Sequence, residues 1–299
     1  MKRIPRDKFV PNLDPRHAPR AHVESGESLI VETWDAFMGA WGVGESPQHA
    51  AAVTGPIYVY GAKPGNVLKV ELLKIEPKAL QPGKAALHNI SAGHGFLGDD
   101  FTRHTPTVMQ IEGGMLRLPN GIALPMDPSL GYIATTFTEA RATSSDSGPY
   151  GGDIDMKELV AGSTIWLPVF VEGALLCLGD IHARLGDGAV GGTGAECAGE
   201  VHIRVSVETH RTIARPQVLT PDHFITVCYG EDVGEAMRQA VRDMVDHLVK
   251  EKGMPPYDAY ALASLAGDVR INRTFRPVSP VKMMLQRQAL EQVDRLRTT

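Results

Sequence analysis

Alternating apolar and polar residues predict a β-rich first two hundred residues. Between Val201 and Val207, apolar side chains alternate with His202, Arg204 and Ser206, and a segment that begins at Val67 partly alternates in the same way. Because successive side chains of a strand point to opposite faces, both segments are predicted as strands with one face toward solvent. Gly, Pro, Asn and Asp between the apolar runs are typical of β-turns and loops.

Two apolar runs predict the centre of the core. They cover Ile165–Val171 and Ala174–Leu178 and are rich in branched or aromatic residues. Their length suits strands that are covered on both faces.

The pattern changes near Arg215. From Gly234 onward, apolar residues recur at three- and four-residue spacing, and Gly253 with two following prolines supplies a stop. We therefore predict an amphipathic helix over 234–252, whose apolar stripe suits the core or a subunit contact. A second helix is predicted over Tyr257–Leu265 and a strand over Val269–Thr274. Residues 1–214 are thus expected to form a mainly β body, and residues 215–299 a smaller α+β subdomain.

Composition excludes several classes of protein. A chain of 299 residues with 43% hydrophobic residues can bury a sizeable core. Its net charge of −5, without a long Lys/Arg cluster, argues against a nucleic-acid partner. The run Thr164–Leu178 is broken by Pro168 and Glu172 and is too short to span a bilayer, so no membrane partner is expected.

The N-terminus and the cysteines favour a cytoplasmic protein. No apolar run follows the charged N-terminal residues, so the pattern does not match a secretory signal. The three cysteines show no C-x-x-C spacing, which argues against a disulfide framework and against a thiolate zinc site.

A glycine motif and several catalytic motifs can be set aside. The chain contains no H-E-x-x-H, no G-x-S-x-G and no phosphate-binding P-loop. Gly186–Gly191 matches G-x-G-x-x-G, but a dinucleotide site needs a helix directly after this loop. Because the next periodic segment has the pattern of a strand, a nucleotide site is not favoured.

Acidic residues concentrate around one histidine. Asp180 and His182 are two residues apart, so on a strand they share one face, and Asp153 and Asp155 have the same spacing. Carboxylates and an imidazole can bind zinc or a similar divalent ion with a position left open for water. We predict Asp155, Asp180 and His182 as metal ligands.

Two further carboxylates are candidates for proton transfer. Glu196 or Asp187 could act as the general base and then protonate a departing nitrogen, and Asp153 is a third catalytic candidate. The neighbouring glycines would let backbone N–H groups approach an oxyanion.

Each of these residues also has a structural interpretation. Asp187-Gly188 is ordinary turn chemistry, the two aspartates near Gly152 could cap a helix that begins near Met156, and His182 could be a satisfied core histidine. Considered together, however, these acids and the histidine lie beside the most hydrophobic run of the chain. Because buried charges require pairing or a metal, this concentration favours a functional site.

The motifs around these residues resemble those of the acetamidase/formamidase family, in the same order over nearly the whole chain. They include Gly151-Gly152-Asp153-Ile154-Asp155, Gly179-Asp180-x-His182-Ala183-x-x-Gly186-Asp187-Gly188, Thr193-x-x-Glu196, Thr54-Gly55-Pro56-Ile57-Tyr58-Val59 and Ser264-Leu265-Ala266-Gly267-Asp268-Val269-Arg270. The resemblance implies a β-sandwich-like body with a smaller C-terminal α/β part. It also implies hydrolysis of a short linear amide to ammonia and a carboxylate, a bound metal, and a homodimer or larger assembly.

Two positions depart from the family pattern. Asp153 replaces the Asn of G-G-N-x-D, and Ala189 replaces the Glu of G-D-G-E. One hypothesis is that Asp153 faces the same cavity as the missing Glu and compensates for it. The small residues Ala189, Gly191 and Gly194 could instead widen the pocket for a carbamate, lactam or cyclic imide. A third interpretation is a catalytically silent paralogue that binds a small ligand.

Three residues are candidates for the substrate pocket. Ala189 lies within the signature, His94 lies in a glycine-rich segment, and Asp35 follows Trp34 in another family-like run.

Overall fold

The computed structural model describes residues 1–40, 52–78, 84–87, 95–101, 106–143, 146–274 and 278–297. The predicted pocket residue His94 lies outside these ranges.

The secondary structure of the described ranges consists mainly of short strands. In chain order, the strands are β1 (Lys2–Ile4), β2 (Phe9–Val10), β3 (Asn12–Leu13), β4 (Ala21–Val23), β5 (Ser28–Thr33), β6 (Val53–Val59), β7 (Val67–Pro77), β8 (Lys84–Leu87), β9 (Thr107–Glu112), β10 (Met115–Arg117), β11 (Ala123–Pro125), β12 (Ser129–Ala134), β13 (Arg141–Ala142), β14 (Ser147–Gly148), β15 (Gly151–Asp153), β16 (Thr164–Pro168), β17 (Leu176–His182), β18 (Glu196–Cys197), β19 (Gly199–Glu208), β20 (Gln217–Leu219), β21 (His223–Gly230), β22 (Gly267–Ile271) and β23 (Ser279–Gln286). The helices are α1 (Val233–Lys250), α2 (Pro256–Ala266) and α3 (Arg287–Arg297).

Two large sheets enclose one apolar core. Over the described residues, the first sheet has the order β1-β5-β19-β7-β16-β20-β21-β23-β22, and the second has β11-β10-β9-β8-β18-β17-β12-β15-β14, with β6 pairing β17, β2 and β4. Val70 and Ile203 of the first sheet and Ile57 and Leu130 of the second belong to the same buried cluster. Side chains from two facing sheets that fill one core form a sandwich. The predicted mainly β, sandwich-like fold is confirmed.

The predicted one-sided strands are confirmed. In β19, Val201, Ile203 and Val205 have no exposed surface, whereas Arg204 is exposed. β7 runs antiparallel beside β19, with Val205 opposite Val70. Burial of alternate side chains thus sets the register of the first sheet.

The predicted core runs belong to two strands in different sheets. β17 is buried at all seven positions, as expected. β16 is not covered on both faces, because Trp166 is only partly buried and donates a hydrogen bond to Glu208. The chain between them, residues 169–175, carries the polypeptide from the first sheet to the second.

The C-terminal strands extend the first sheet. β20 pairs with β16, β21 pairs with β20, and β23 lies between β21 and β22. The sheet is therefore continuous across residue 215, and the division into two parts there stays a prediction. α1 and α2 confirm the two predicted helices within one or two residues at each end. The predicted strand 269–274 overlaps β22, which begins two residues earlier and ends at Ile271.

The apolar stripe of α1 belongs to the core. Ala236, Ala240, Met244 and Leu248 pack with buried residues of β21 and β23 in a second cluster. Asp232 caps the helix by accepting a hydrogen bond from the Glu235 N–H. None of the helices in the described ranges is long and apolar enough to cross a membrane.

Residues 156–159 do not form a helix. Lys157 and Glu158 lie in a turn that is closed by a hydrogen bond of 3.0 Å from the Leu159 N–H to the Met156 carbonyl. The interpretation of the two preceding aspartates as helix caps is therefore wrong.

We expect Leu248→Ala to lower the free energy of unfolding by about 2–5 kcal/mol, because this side chain of α1 is fully buried against the first sheet. Urea unfolding measures this loss. Arg242→Ala, on the exposed side of the same helix, is the matched control and should change stability by less than about 0.5 kcal/mol. Equal effects of the two substitutions would contradict the packing described for α1.

Candidate functional site

The candidate site forms where three strands of the second sheet meet. β17 lies between β12 and β18, and His182 faces Ser129 on one side and Glu196 on the other. Asp180 lies two residues before His182 on β17. Asp155 follows β15, which pairs with the far edge of β12. The sheet therefore brings together acids that are distant in sequence.

The ring of His182 is surrounded by carboxylates. Its Nε2 atom lies 3.0 Å from Glu196 Oε1 and 3.7 Å from both Asp155 Oδ1 and Asp180 Oδ2. The ligand-type atoms of Asp155, Asp180 and His182 all lie within 4.8 Å of one another. All four residues are at most 8% exposed. The structure thus brings together the three predicted ligands and the first predicted base.

Two of these acids have an unusual backbone conformation. Asp155 has φ of 48° and Asp180 has φ of 60°, the left-handed region that non-glycine residues seldom adopt. Such residues cost free energy and occur mainly where the surrounding structure holds them for a function. Asp180 adopts this conformation within β17, whose register with β12 is the same before and after it.

Gly131 on β12 makes the arrangement possible. Its carbonyl accepts hydrogen bonds from the N–H groups of Ile154 and Asp155, each at 3.0 Å. A Cβ at this position would overlap Asp180 Oδ2 and lie 2.5 Å from His182 Cε1. Only glycine can therefore hold Asp155 through its backbone and leave room for the other two side chains.

Gly194 supports the other side of the histidine. A Cβ there would lie 2.5 Å from His182 Cδ2, and the Gly194 N–H donates to Glu196 Oε1 at 2.8 Å. Sequence reasoning missed Gly131 and assigned Gly194 only to a wider pocket. No sequence signal distinguishes either glycine, since the role of Gly131 depends on strand pairing and that of Gly194 on the approach of its loop to the His182 ring.

The four groups strongly influence each other's protonation. Burial lowers the pKa of His182, but the charges of Glu196 and Asp180 outweigh burial and raise this pKa well above its usual value. Burial raises the pKa of Glu196, but the charge and hydrogen bond of His182 outweigh it, so the pKa of Glu196 is lowered. Without a metal, the site therefore holds a charged imidazolium beside an ionised Glu196.

The two remaining acids are harder to ionise. Burial, together with the nearby charge of Asp153, raises the pKa of Asp155 to about 7. Burial and the charge of Glu196 raise the pKa of Asp180 well above its usual range. A cation placed among these carboxylates would reverse this effect, because it favours their charged forms.

The unsatisfied atoms of the site fit a metal ion. Asp155 Oδ1, Asp180 Oδ1, His182 Nδ1 and Glu196 Oε2 are buried without a hydrogen-bond partner. Buried polar atoms normally have partners, and one imidazole with two carboxylates is a donor set for zinc and similar divalent ions. The residues present therefore fit a divalent metal centre.

A second His/Glu cluster in the described ranges does not share these features. Glu76, Glu200 and His202 also lie close together, but they are nearer the surface. Arg3 and Lys78 contact Glu200 at 2.7 and 2.5 Å. Because cations already neutralise this cluster, it fits a surface ion-pair network.

The other predicted catalytic acids contact basic residues. The Asp153 carboxylate pairs with the buried Arg273 guanidinium. Asp187 lies 2.5 Å from Lys282 Nζ and 2.9 Å from Lys157 Nζ. Burial raises the pKa of Asp187, but these two ammonium groups lower it overall.

Ala189 and Asp35 occupy defined structural positions. Ala189 is 3% exposed and has φ of 40°, directly after Gly188, whose backbone pairs with Arg273. Asp153 and the segment that contains Ala189 thus both contact Arg273. This arrangement is compatible with the hypothesis that Asp153 compensates for the missing Glu, which stays a prediction. The Asp35 carboxylate accepts hydrogen bonds from the N–H groups of Phe37 and Gly39 and so caps a turn.

We expect the metal-free protein to lose stability as the pH rises from 5 to 8. The folded pKa of Asp155 lies above its unfolded value, so between about pH 4 and 7 the folded state binds a proton that the unfolded state does not. His182 acts in the same direction, since its stabilisation is lost as the pH rises through its raised pKa. Urea unfolding in chelator should show losses on the order of 1 kcal/mol per pH unit, and Asp155→Asn should flatten the profile. A stability that increases over this pH range would contradict the protonation states described above.

Solved structures closely match the whole chain. An acetamidase from Bacillus halodurans superposes with a TM-score of 0.90 at 30% identity, over 97% of this chain and 99% of that one. A recombinant predicted acetamidase/formamidase from Thermoanaerobacter tengcongensis gives a TM-score of 0.92 at 31% identity, over 98% and 97% of the two chains.

Curated relatives match over shorter regions. A formamidase from Methylophilus methylotrophus is 26% identical over 77% of this chain and 76% of its own length. The matches with two other curated relatives span about two thirds of those proteins, 64% and 67% of their lengths. The model of the Acetamidase/Formamidase family matches residues 11–144 and 132–276. This chain therefore belongs to the acetamidase/formamidase family.

Proposed function

We propose that the protein hydrolyses the C–N bond of a short linear amide, giving ammonia and a carboxylate. The observation that carries the proposal is the buried cluster of Asp155, Asp180, His182 and Glu196, in which each side chain keeps one polar atom without a partner. Membership of the family, with relatives named formamidase and acetamidase, supports this reaction class.

Asp155, Asp180 and His182 would hold a divalent ion, zinc being the first candidate. A bound ion of this kind lowers the pKa of water to near neutral and polarises a carbonyl oxygen. Binding requires a neutral imidazole, so His182 must release the proton that it holds in the metal-free state. That release also ends the ion pair between His182 and Glu196.

Glu196 is the general base that we propose. The Gly194 N–H holds its Oε1 atom at 2.8 Å, while Oε2 is buried and has no partner. A divalent cation beside Glu196 would keep this carboxylate ionised in place of the lost imidazolium charge, so Glu196 could take a proton from the attacking water. The water oxygen then bonds to the amide carbon. As the C–N bond breaks, Glu196 returns the proton to the nitrogen, which leaves as ammonia.

The substrate that we propose is a formamide- or acetamide-like molecule. The relatives named formamidase and acetamidase take their names from such substrates. Because the small side chain of Ala189 could leave room for a larger substrate, the activity screen that tests this assignment also includes carbamates, lactams and cyclic imides.

We expect the zinc-loaded protein to release ammonia from formamide or acetamide, and a chelator to abolish the release. His182→Ala and Asp180→Ala should each lower kcat/KM by roughly three orders of magnitude, as when a catalytic unit loses a member. Glu196→Gln should lower kcat by about 10²–10⁴-fold while zinc remains bound, because proton transfer alone is lost.

His202→Ala is the matched control, since His202 belongs to the neutralised surface cluster and should leave turnover unchanged. A protein that binds no metal and turns over none of the amides, carbamates, lactams or imides would contradict the proposal. That outcome would favour the catalytically silent ligand-binding protein.

We also propose a homodimer that forms through α2 and β22. Tyr257, Tyr260 and Leu265 on α2 are 82, 59 and 87% exposed, and β22 is an edge of the first sheet in the described ranges. If two copies of β22 pair antiparallel about Val269, Asp268 of each copy lies opposite Arg270 of the other. This charge complementarity favours a second copy as the partner for the edge.

We expect size-exclusion chromatography with light scattering to give a dimer for the unmodified protein and a monomer for Leu265→Glu. The introduced charge would be buried without a partner in the dimer. Ile122→Glu, at another exposed apolar residue, should leave the dimer intact. A Leu265→Glu protein that stays dimeric would place the interface elsewhere.

A further inference from the structure

Two basic side chains of the C-terminal hairpin region are completely buried. Arg273 and Lys282 have no exposed surface, and Lys282 lies within β23. Burial of a cation costs several kcal/mol unless partners with good geometry offset it. Their contacts therefore indicate which parts of the fold this region holds.

The Lys282 ammonium joins two segments of the candidate site. Its Nζ atom lies 2.5 Å from Glu158 Oε2 and 2.5 Å from Asp187 Oδ1. Glu158 belongs to residues 153–159, which we call the Asp155 turn. Asp187 belongs to residues 186–192, which we call the glycine loop. One ammonium group thus contacts both segments from the opposite sheet.

Other contacts connect the same three parts. Lys157 in the Asp155 turn lies 2.9 Å from Asp187 in the glycine loop. The side-chain Nδ2 of Asn272 donates to the Ile154 carbonyl at 3.1 Å, and the backbone carbonyl of Asn272 accepts from the Gly188 N–H at 2.9 Å. The chain between β22 and β23 therefore contacts the backbone of both segments as well.

The Asp155 turn needs such support. Asp155 has a left-handed backbone, which a non-glycine residue adopts at a cost and keeps only when its surroundings hold it. Asp153 and Glu158, on either side of Asp155, are bound by Arg273 and Lys282. The turn is thus fixed at both ends by buried cations.

We propose that Lys282 is a positioning residue that holds the Asp155 turn against the glycine loop, with Asp187 as the anion shared by Lys282 and Lys157. Asp187 then organises the site and does not act as its base. The consequence for metal affinity rests on the proposed function, whereas the coupling of the two segments does not.

Hydrogen exchange measured by mass spectrometry tests the coupling directly. In metal-free Lys282→Met, amides in residues 153–159 and 186–192 should exchange about tenfold faster than in the unmodified protein, because local opening is no longer opposed. Amides of β19 should be unchanged. Lys282→Arg should restore most of the protection. Lys252→Met, which breaks the ion pair with Asp294 of α3, is the matched control and should leave both segments unchanged.

A second variant keeps the test decisive if Lys282→Met fails to fold. Glu158→Gln leaves Lys282 paired with Asp187, so faster exchange should be confined to the Asp155 turn. Asp187→Asn removes the shared anion, so faster exchange should extend to both segments. Equal protection in all variants, or a uniform increase that includes β19, would overturn the positioning role.

Zinc affinity gives the second measurement. Competition with a chelator should show zinc binding to Lys282→Met roughly 10–100-fold weaker than to the unmodified protein, as when a group that orients a ligand is lost. Unchanged affinity would overturn the link from Lys282 to the metal ligands. If the unmodified protein binds no zinc, the proposed function fails, and the exchange experiment still decides the coupling of the two segments.

Discussion

The burial of one histidine among three carboxylates is the interaction on which the rest of the site depends. His182 Nε2 is 3.0 Å from a carboxylate oxygen of Glu196 and 3.7 Å from a carboxylate oxygen of both Asp155 and Asp180. All four side chains are buried. In the metal-free protein a proton on the imidazole offsets part of the negative charge. A divalent cation would offset more of it and would also provide partners for the unsatisfied oxygen atoms.

The sandwich supplies the rigidity that this arrangement requires. Strand pairing places Glu196 opposite His182, and Gly131 on the other neighbouring strand leaves the space that two side chains need. Asp155 comes from a turn and not from a strand, so additional groups must hold it. The carbonyl of Gly131 and the buried cations Arg273 and Lys282 meet that need.

Local patterns predicted much of this protein, and cross-strand contacts account for what they missed. The alternation in β19, the periodicity of α1 and the spacing of Asp180 and His182 are local, and the structure contains each of them. The role of Gly131 depends on the pairing of β12 with β17, which lie about fifty residues apart. Lys282 shows the same limit: in sequence it is one lysine between apolar residues, and only Glu158 and Asp187, distant in the chain, explain its burial. The short run after Met156 does not form a helix, and its side chains Lys157 and Glu158 make ion pairs with Asp187 and Lys282.

The proposed function rests on the binding of a divalent metal by Asp155, Asp180 and His182 together. A crystal structure of the zinc-loaded protein, with anomalous data collected on both sides of the zinc absorption edge, tests this claim most directly. We expect one anomalous peak about 2.0–2.2 Å from an imidazole nitrogen of His182 and from a carboxylate oxygen of each aspartate. A cluster without a peak, or a peak found only at Glu76, Glu200 and His202, would contradict it.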